Sequence, residues 1–445
     1  MKIKELIFNK ICLIFPTLFL GMIPALLTAE APPALYSSPT FTLNLVERVR
    51  LTRWDNAVML DSGAKGDTAF TRTLTSLAGR WKPSEKFEFL LKVTNEFRYY
   101  IKPDNRDFTF NEIFIDNLYA RWNRPSGLPF TLTLGRQNLI LGEGFVVMDG
   151  HPLDGSRSIY FNAARVDAHL DQKGNHTLTF FYMDQTETDD QLPLLNEQDQ
   201  PLIEQPERGL GAYYSGTLAN GKLEGYLIQK WVDEGKPDTL SSDFSTLGLR
   251  WIHPLSSSLS WTTETAAQFG SLGEQDRKAY GGYSTLMWDT GRKGIRPSRL
   301  SLGLIYLSGD DPATADWEGW DPIFSRWPKW SESYIYTFIR EYNGRVAYWS
   351  NFASLYGSLT FSLTPRARLD FTYHHLRAPQ DAPPDQAFPG GSGHTRGDLF
   401  ITKLNLTFSR NLTGHLLWER FSPGNYYFQD ADGYDWFRFE CLLKF

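Results

Sequence analysis

The sequence predicts an all-β fold, a transmembrane antiparallel up-and-down β-barrel of about 18 strands with short periplasmic turns and long extracellular loops. Three observations carry that prediction. Apolar and polar residues alternate with a period of two through segments of about 10 to 12 residues, long enough to cross a bilayer at a tilt. The chain opens on a leader-like segment. The connections between the alternating segments switch regularly between short and long.

The leader comes first. Lys2, Lys4 and Lys10 form a basic region, Ile11 to Leu27 is apolar, and Ala29-Glu30-Ala31 supplies small residues for cleavage. Residues 1–29 therefore read as a secretory signal peptide, with an uncleaved membrane anchor as the alternative. The barrel is expected over 40–445. Its first strand is FTLNLVERVRL, in which Phe41, Leu43, Leu45, Val49 and Leu51 oppose Asn44, Arg48 and Arg50. A long link (55–69) leads to the next strand, and the turn Pro83-Ser84-Glu85-Lys86 is short. FEFLLKVTNEFRY then sets Phe87, Phe89, Leu91, Val93 and Phe97 against Glu88, Lys92, Thr94, Glu96 and Arg98. Long links follow near 100–112, 138–157, 184–208, 309–346, 378–396 and 422–432, with moderate ones near 233–242 and 270–275. Short turns lie at Asn123 to Leu128, 171–175, Asn220-Gly221, Pro254 to Ser257, 290–297, Pro365-Arg366 and 410–412. Further clean strands are LSWTTETAAQF (259–269) and RLDFTYHH (368–375). An even strand count puts both chain ends on the side of the short turns.

Composition agrees with this layout. The 445 residues include 14 Trp, 21 Tyr and 31 Phe, yet the mean hydropathy is only −0.36, so the apolar residues are spread along strands rather than gathered into helices. Cys12 falls in the leader and leaves Cys441 alone, which excludes a disulfide or a cysteine metal cage within the mature chain. With a net charge of −6, no nucleic-acid partner and no cofactor is expected. The acidic stretch 184–208 reads as a solvated outer loop, or as a contact for divalent ions or lipopolysaccharide.

Several local sequences resemble the bacterial alginate export family of outer-membrane porins. They are LTLGRQNLILGEGF (131–145), DGSRSIYFNAARVDAHL (154–170), WTTETAAQFG (261–270), LIYLSGDD with WDPIFSRWPKW (304–330), and ERFSPGNYY (419–427). The resemblance implies an 18-stranded barrel that passes an anionic polysaccharide such as alginate through a basic lumen. It also implies periplasmic export components as partners. Arg136, Arg157 and Arg165 are carried over from its Gly-Arg-Gln and Asp-Gly-x-Arg stretches, and Asp310 from its Ser-Gly-Asp strand end.

Strand parity supplies an independent reading of the lumen. The polar faces carry Arg48, Arg50, Lys92, Arg98, Arg250, Arg368, Lys403 and Arg438 against Glu88, Glu96, Glu264, Asp370 and Glu440. That is a basic wall in an acidic chain, and rings of Arg and Lys favour anions. The alternative is that these charges only brace the wall, with Arg98 beside Glu96 and Arg368 beside Asp370 as pairs. Parity puts Arg136 on the apolar face unless a bulge re-aims it. Asp310 is expected in a rim network with an arginine. Trp317, Trp320, Trp327 and Trp330 are expected to anchor at the membrane or to pack a loop, and any gate to be an outer loop folded inward.

No catalytic motif is present. The rings of His374 and His375 face opposite sides, and no Ser/His pair at matched depth is evident. The leading reading is an outer-membrane channel that passes anionic polysaccharide or another acidic solute by passive diffusion. The runner-up is a general porin with structural lumen charges, and an outer-membrane enzyme or adhesin stands third. The C-terminal stretch FRFECLLKF forms one lipid-facing row (Phe437, Phe439, Cys441, Leu443, Phe445), so the last strand closes the barrel. Terminal Phe445 resembles the signal read by the barrel-assembly machinery.

Overall fold

A computed structural model describes residues 33–445 except 65, 104–109, 149–159, 188–190, 194, 197–205, 235–239, 326–328, 342–348 and 383–389. Eighteen antiparallel strands make the wall. They are β1 (Phe41–Trp54), β2 (Thr68–Ser84), β3 (Phe87–Lys102), β4 (Phe110–Asn123), β5 (Phe130–Gln137) and β6 (Phe161–His169). Next come β7 (His176–Gln185), β8 (Glu207–Leu218), β9 (Gly221–Val232), β10 (Ser242–Pro254), β11 (Leu259–Leu272) and β12 (Gln275–Asp289). The circuit is completed by β13 (Arg299–Leu307), β14 (Phe352–Thr364), β15 (Ala367–Arg377), β16 (Thr395–Thr407), β17 (Leu412–Pro423) and β18 (Tyr434–Lys444). Each strand pairs with its neighbours in sequence, and β18 returns to β1 from Val46↔Lys444 to Trp54↔Trp436. Closure leaves no sheet edge, the condition for a β-structure to stand in lipid.

The alternation seen in the sequence is the inside–outside alternation of this wall. On β18, Phe437 is exposed while Arg438 and Glu440 are buried. On β3, Phe89 and Leu91 are exposed while Glu88, Thr94 and Glu96 are buried. The exterior is a belt of Leu, Phe, Tyr and Trp, including Trp81, Leu134, Leu247, Leu304 and Leu355, which is the lipid-facing surface of an outer-membrane barrel. Short links (such as 85–86, 219–220, 365–366 and 408–411) lie at one end, with the start of β1 and the end of β18. The links 55–67, 138–160, 186–206, 308–351 and 378–394 lie at the other. One expectation is corrected: the link near 270–275 is a two-residue turn, because Gly273 takes a φ of 56° and lets β11 and β12 pair from Leu272↔Gln275 onward.

The chain end is held. Phe445 N donates to Leu45 O at 2.8 Å, Leu45 N donates to Phe445 O at 2.9 Å, and Asn44 Nδ2 reaches the same oxygen at 3.1 Å. Deleting Phe445 removes these bonds and frees the end of the closing strand. The expected outcome is a severalfold loss of heat-modifiable barrel in outer-membrane fractions, with unchanged conductance in the molecules that assemble. Normal membrane levels of the deletion would refute the role.

Two long links do not stay outside. The segment 138–148 and the segment 308–341 fold into the barrel, where Val147–Met148 and Phe324–Ser325 form a short parallel pair. Ser325 Oγ donates to Gly144 O and locks the two segments together. Their apolar residues Leu139, Leu141, Phe145, Val146, Trp320, Ile323 and Phe324 are buried against inward aromatics of the wall. Trp320 stacks on Phe145 at 5.3 Å, so this tryptophan packs a loop and does not anchor in the membrane. Trp327 lies outside the described residues.

The 308–351 link also holds a helix that the sequence did not announce, α1 (Tyr334–Glu341). Both of its ends are fixed to the wall. At the N-terminus the buried Glu419 carboxylate accepts from Ser331 Oγ, from Ser333 Oγ and from the Glu332 and Ser333 amides at 3.1 Å, where the helix dipole favours an anion. At the C-terminus Arg396 Nη1 donates to both Glu341 oxygens at 2.8 and 2.9 Å, and the Tyr427 hydroxyl donates to Glu341 at 2.7 Å. Arg396 also lies over the Tyr426 ring at 4.2 Å. Breaking one partner of a fully buried pair costs about 3–5 kcal/mol. Arg396→Ala is therefore expected to release α1 and to add larger, noisier openings in single-channel records. Records identical to wild type would show that α1 is held without this pair.

Candidate channel constriction

The loops leave a polar opening where the Leu141-Gly142-Glu143-Gly144 turn reaches the wall of β8 to β12. Gly142 (φ 61°) and Gly144 (φ 78°) make the turn possible. A Cβ on Gly142 would stand 2.8 Å from the Tyr213 hydroxyl, and one on Gly144 would stand 2.7 Å from Met148 Sδ. Between the two glycines, the Glu143 side chain remains 43% exposed to the lumen.

Arg250 organises this opening. Its Nη2 meets Glu143 Oε1 at 2.5 Å, its Nη1 meets Glu224 Oε2 at 2.5 Å, and its Nε lies 3.6 Å from Glu264 Oε2. The ladder register explains the wall contacts, because Arg250 stands opposite Glu224 on β9 and Glu264 on β11. Glu264 also accepts from Tyr226 at 3.1 Å and from Tyr283 at 2.9 Å. Tyr213 and Tyr226 stack with centroids 5.6 Å apart. Lys329, from the second inward segment, meets Glu143 Oε2 at 2.9 Å and lies 4.8 Å above the Tyr283 ring. Arg250 is eight residues below the outer end of β10, roughly 27 Å along the strand. The two loops therefore narrow the barrel deep inside, not at its mouth.

The other sequence-derived residues are spread around the wall. Arg50 pairs with Glu440, which also faces His415 at 3.5 Å. Lys92 pairs with Asp116 at 2.5 Å, and Arg368 with Asp370 at 3.0 Å. Asp370 further accepts from Thr360 and Asn405. The expected Arg98–Glu96 brace is not formed. Glu96 faces Arg48 at 3.9 Å, while Arg98 lies 4.5 Å over the Phe70 ring and donates to the Tyr100 hydroxyl at 2.9 Å. Arg165 pairs with Asp167 at 2.9 Å. Arg438 turns inward to Glu332 beside α1.

Lys403 stands opposite Asp370 in the ladder and makes no ion pair within 4 Å among the described residues. Arg157 and His151 lie outside the described residues. Arg136 faces inward despite its parity, because Gly135 takes a φ of 119° and re-aims the strand end. Arg136 is buried over Tyr160 at 3.7 Å and donates to Asn162 Oδ1 at 2.9 Å and Ile115 O at 2.8 Å. It braces the wall.

Asp310 accepts from the Glu318 amide at 3.0 Å and stabilises its own loop, with the Arg277 guanidinium near enough to act on its carboxylate. Two further expectations are corrected. The buried wall is not basic overall, since nine buried carboxylates on its strands match nine buried Arg and Lys among the described residues. The missing acids sit on strands whose alternation Gly and Tyr interrupt, such as Glu207 on β8 and Glu224 on β9. A Ser/His pair at matched depth does exist, with Ser354 Oγ 3.0 Å from His374 Nδ1, both buried inside the barrel. Among the described residues no carboxylate orients this histidine, whose ring stacks on Tyr356, so the pair lacks there the third group of a hydrolytic triad. His375 points the other way and meets Asp398 at 2.9 Å.

At the short-turn end a cavity of about 610 Å³ opens, lined by Arg366, Arg368, Asn405, His415 and Glu440. The cations that stay accessible to water cluster toward this end. The Arg368, Arg121 and Arg165 side chains are 58%, 35% and 28% exposed, while most other inward cations are buried in pairs.

The barrel resembles solved outer-membrane porins of Pseudomonas aeruginosa. The outer-membrane protein OpdK aligns with 91% of this chain and 98% of its own, at TM-score 0.59 and 11% identity. OpdK with vanillate gives TM-score 0.57 at 12% identity, over 91% and 98% of the two chains. OccK2 (OpdF) in complex with glucuronate gives 0.56 at 15%, over 91% and 96%. At these identities the likeness is one of fold. No family model matches the sequence, and no curated protein matches it.

Proposed function

We propose that the chain is a passive outer-membrane channel for a small acidic solute, selected at the opening formed by Glu143, Arg250, Lys329 and Tyr283. The observation that carries this reading is the meeting of two cations from different elements at one accessible point of a lumen that the loops have narrowed. Arg presents a planar fork suited to a carboxylate, and Lys adds a second donor. Weak, multiple sites along the wall (Arg121, Arg165, Arg368, Lys403) would let an anion enter and leave without being held.

The two porins of similar fold that were crystallised with glucuronate and vanillate lend support, since both ligands are small carboxylates. The sequence motifs suggested alginate export. The likeness in fold supports a porin but does not extend to polysaccharide passage, and the buried packing of 138–148 against 308–341 favours a small solute over a polymer. Residues 1–29 would serve as the export signal and Phe445 as the assembly signal, in a barrel surrounded by lipid and lipopolysaccharide. No step requires a cofactor or a catalytic group.

Planar-bilayer recordings test the reading. The expected result is a zero-current potential that shows anion preference in a salt gradient, with current reduced by glucuronate more than by alginate oligomers. Cation preference with no effect of either would overturn it and leave the general-porin reading.

A further inference from the structure

The groups around Glu143 form the kind of site that would hold a foreign carboxylate. Arg250 Nη2 takes one oxygen, while Lys329 Nζ and the Tyr283 hydroxyl take the other at 2.9 and 3.1 Å. Phe145 and Trp330 border the Tyr283 ring, with centroids 5.5 and 6.1 Å away. Glu143 differs from the other two carboxylates on Arg250. Glu224 and Glu264 belong to the wall and are almost wholly buried, whereas Glu143 sits on a loop turn and stays exposed. Its removal would leave Arg250 with two wall carboxylates, so the arginine is not stranded as a buried bare charge. Lys329 has no other ion pair within 4 Å among the described residues, and Glu264, its next carboxylate, is already held by Tyr226 and Tyr283 beside Arg250.

We infer that Glu143 is a tethered stand-in for the solute carboxylate: it occupies the Arg250–Lys329–Tyr283 anion site, and a small monocarboxylate, preferably one carrying an aromatic ring, passes by displacing it. This deepens the reading of the chain as an acidic-solute channel and rests on it. The exchange is carboxylate for carboxylate, so Arg250 and Lys329 stay paired, while the displaced Glu143 carboxylate, already 43% exposed, turns into the water of the lumen. The exchange needs only a rotation of the Glu143 side chain, because the turn itself is held by the Ser325 Oγ to Gly144 O bond and by the buried Leu141 and Phe145. A competing internal ligand keeps solute binding weak, which suits transit rather than storage.

The test is block of single-channel current by benzoate, with neutral benzamide as control. It uses wild type, Glu143→Gln and Asp233→Asn. Glu143→Gln keeps the shape of the turn and removes the competing charge, and is expected to lower the half-blocking benzoate concentration about tenfold. Asp233→Asn removes the same charge at the outer rim, beside Arg208, and should leave the concentration unchanged. Lys329→Met, on a loop outside the strand ladder, should raise it. Wild type blocked by benzoate but Glu143→Gln blocked no better would overturn the stand-in role while leaving the acidic-solute channel intact. An equal gain in Asp233→Asn would also overturn it, since general charge would then explain the effect. Benzoate acting no better than benzamide on every variant would overturn the channel reading itself.

Discussion

Deletion of residues 312–328 is expected to raise single-channel conductance severalfold without loss of the barrel. The segment brings Trp320, Ile323 and Phe324 into the lumen, while β12 keeps its continuous pairing with β11 and, from Gly281, with β13. It bridges to the outer part of β12, where Lys278 N donates to Trp317 O at 2.9 Å and Trp317 N to Asp276 O at 2.7 Å, and Lys278 pairs with Asp316 at 2.6 Å, all near the rim where water can replace them. Asp321 N donates to Gln268 Oε1 and Gln268 Nε2 donates to Asp321 O, while Lys230 reaches Asp321 and the Ile323 carbonyl. After deletion, Lys230 keeps its pair with Glu207 at 3.0 Å, and water can satisfy Gln268. The parallel pairing with Val147–Met148 is lost, so 138–148 also loosens. Unchanged conductance in the deletion would mean that ions do not pass between these loops and the wall.

Replacing Arg250 has the second large effect. This side chain faces three carboxylates within 3.6 Å, and its removal leaves Glu224 and Glu264 together in a buried wall. Breaking such an arrangement costs about 3–5 kcal/mol, so Arg250→Met should unfold at clearly lower temperature or denaturant. The same change takes one positive charge from the opening beside Glu143, and anion preference in bilayers should fall toward zero or reverse. Arg250→Lys should fold better but stay less anion-selective than wild type, because an ammonium cannot present the same fork to several carboxylates. Wild-type selectivity in both variants would remove Arg250 from the permeation path.

The wall was legible in the sequence because its signal is local. Phe437, Phe439 and Cys441 alternate with Arg438 and Glu440 in consecutive residues, and a period of two needs no knowledge of neighbours. The two faces of β18 were therefore legible before its pairing with β1 was seen. Pairing was not. Glu440 meets Arg50 across 390 positions, and Ser354 meets His374 only because the register sets Tyr356 opposite His374. Parity shows which face a residue takes but not which neighbour it finds there. That is why the expected Arg98–Glu96 brace gave way to contacts with Arg48 and Phe70.

The inward loops were the least legible part. YIYTFIRE in α1 mixes β-branched and aromatic residues that suit a strand as well as a helix. Its helical form depends on Glu419 and Arg396, which lie far away in sequence. Glu143 and Lys329 carried only faint signals, a carboxylate between two glycines and a lysine within a Trp-rich loop. The basic excess read from the clean strands failed for a related reason: Glu207 and Glu224 sit on strands that Gly and Tyr make hard to assign a face.

The most direct test of the central claim is uptake into proteoliposomes of radiolabelled glucuronate against glucose, two solutes of nearly the same size that differ in one carboxylate. A channel with accessible cations at Arg121, Arg165 and Arg368, and an anion site at Arg250 and Lys329, should pass glucuronate faster than glucose. Equal rates, or faster entry of glucose, would contradict it.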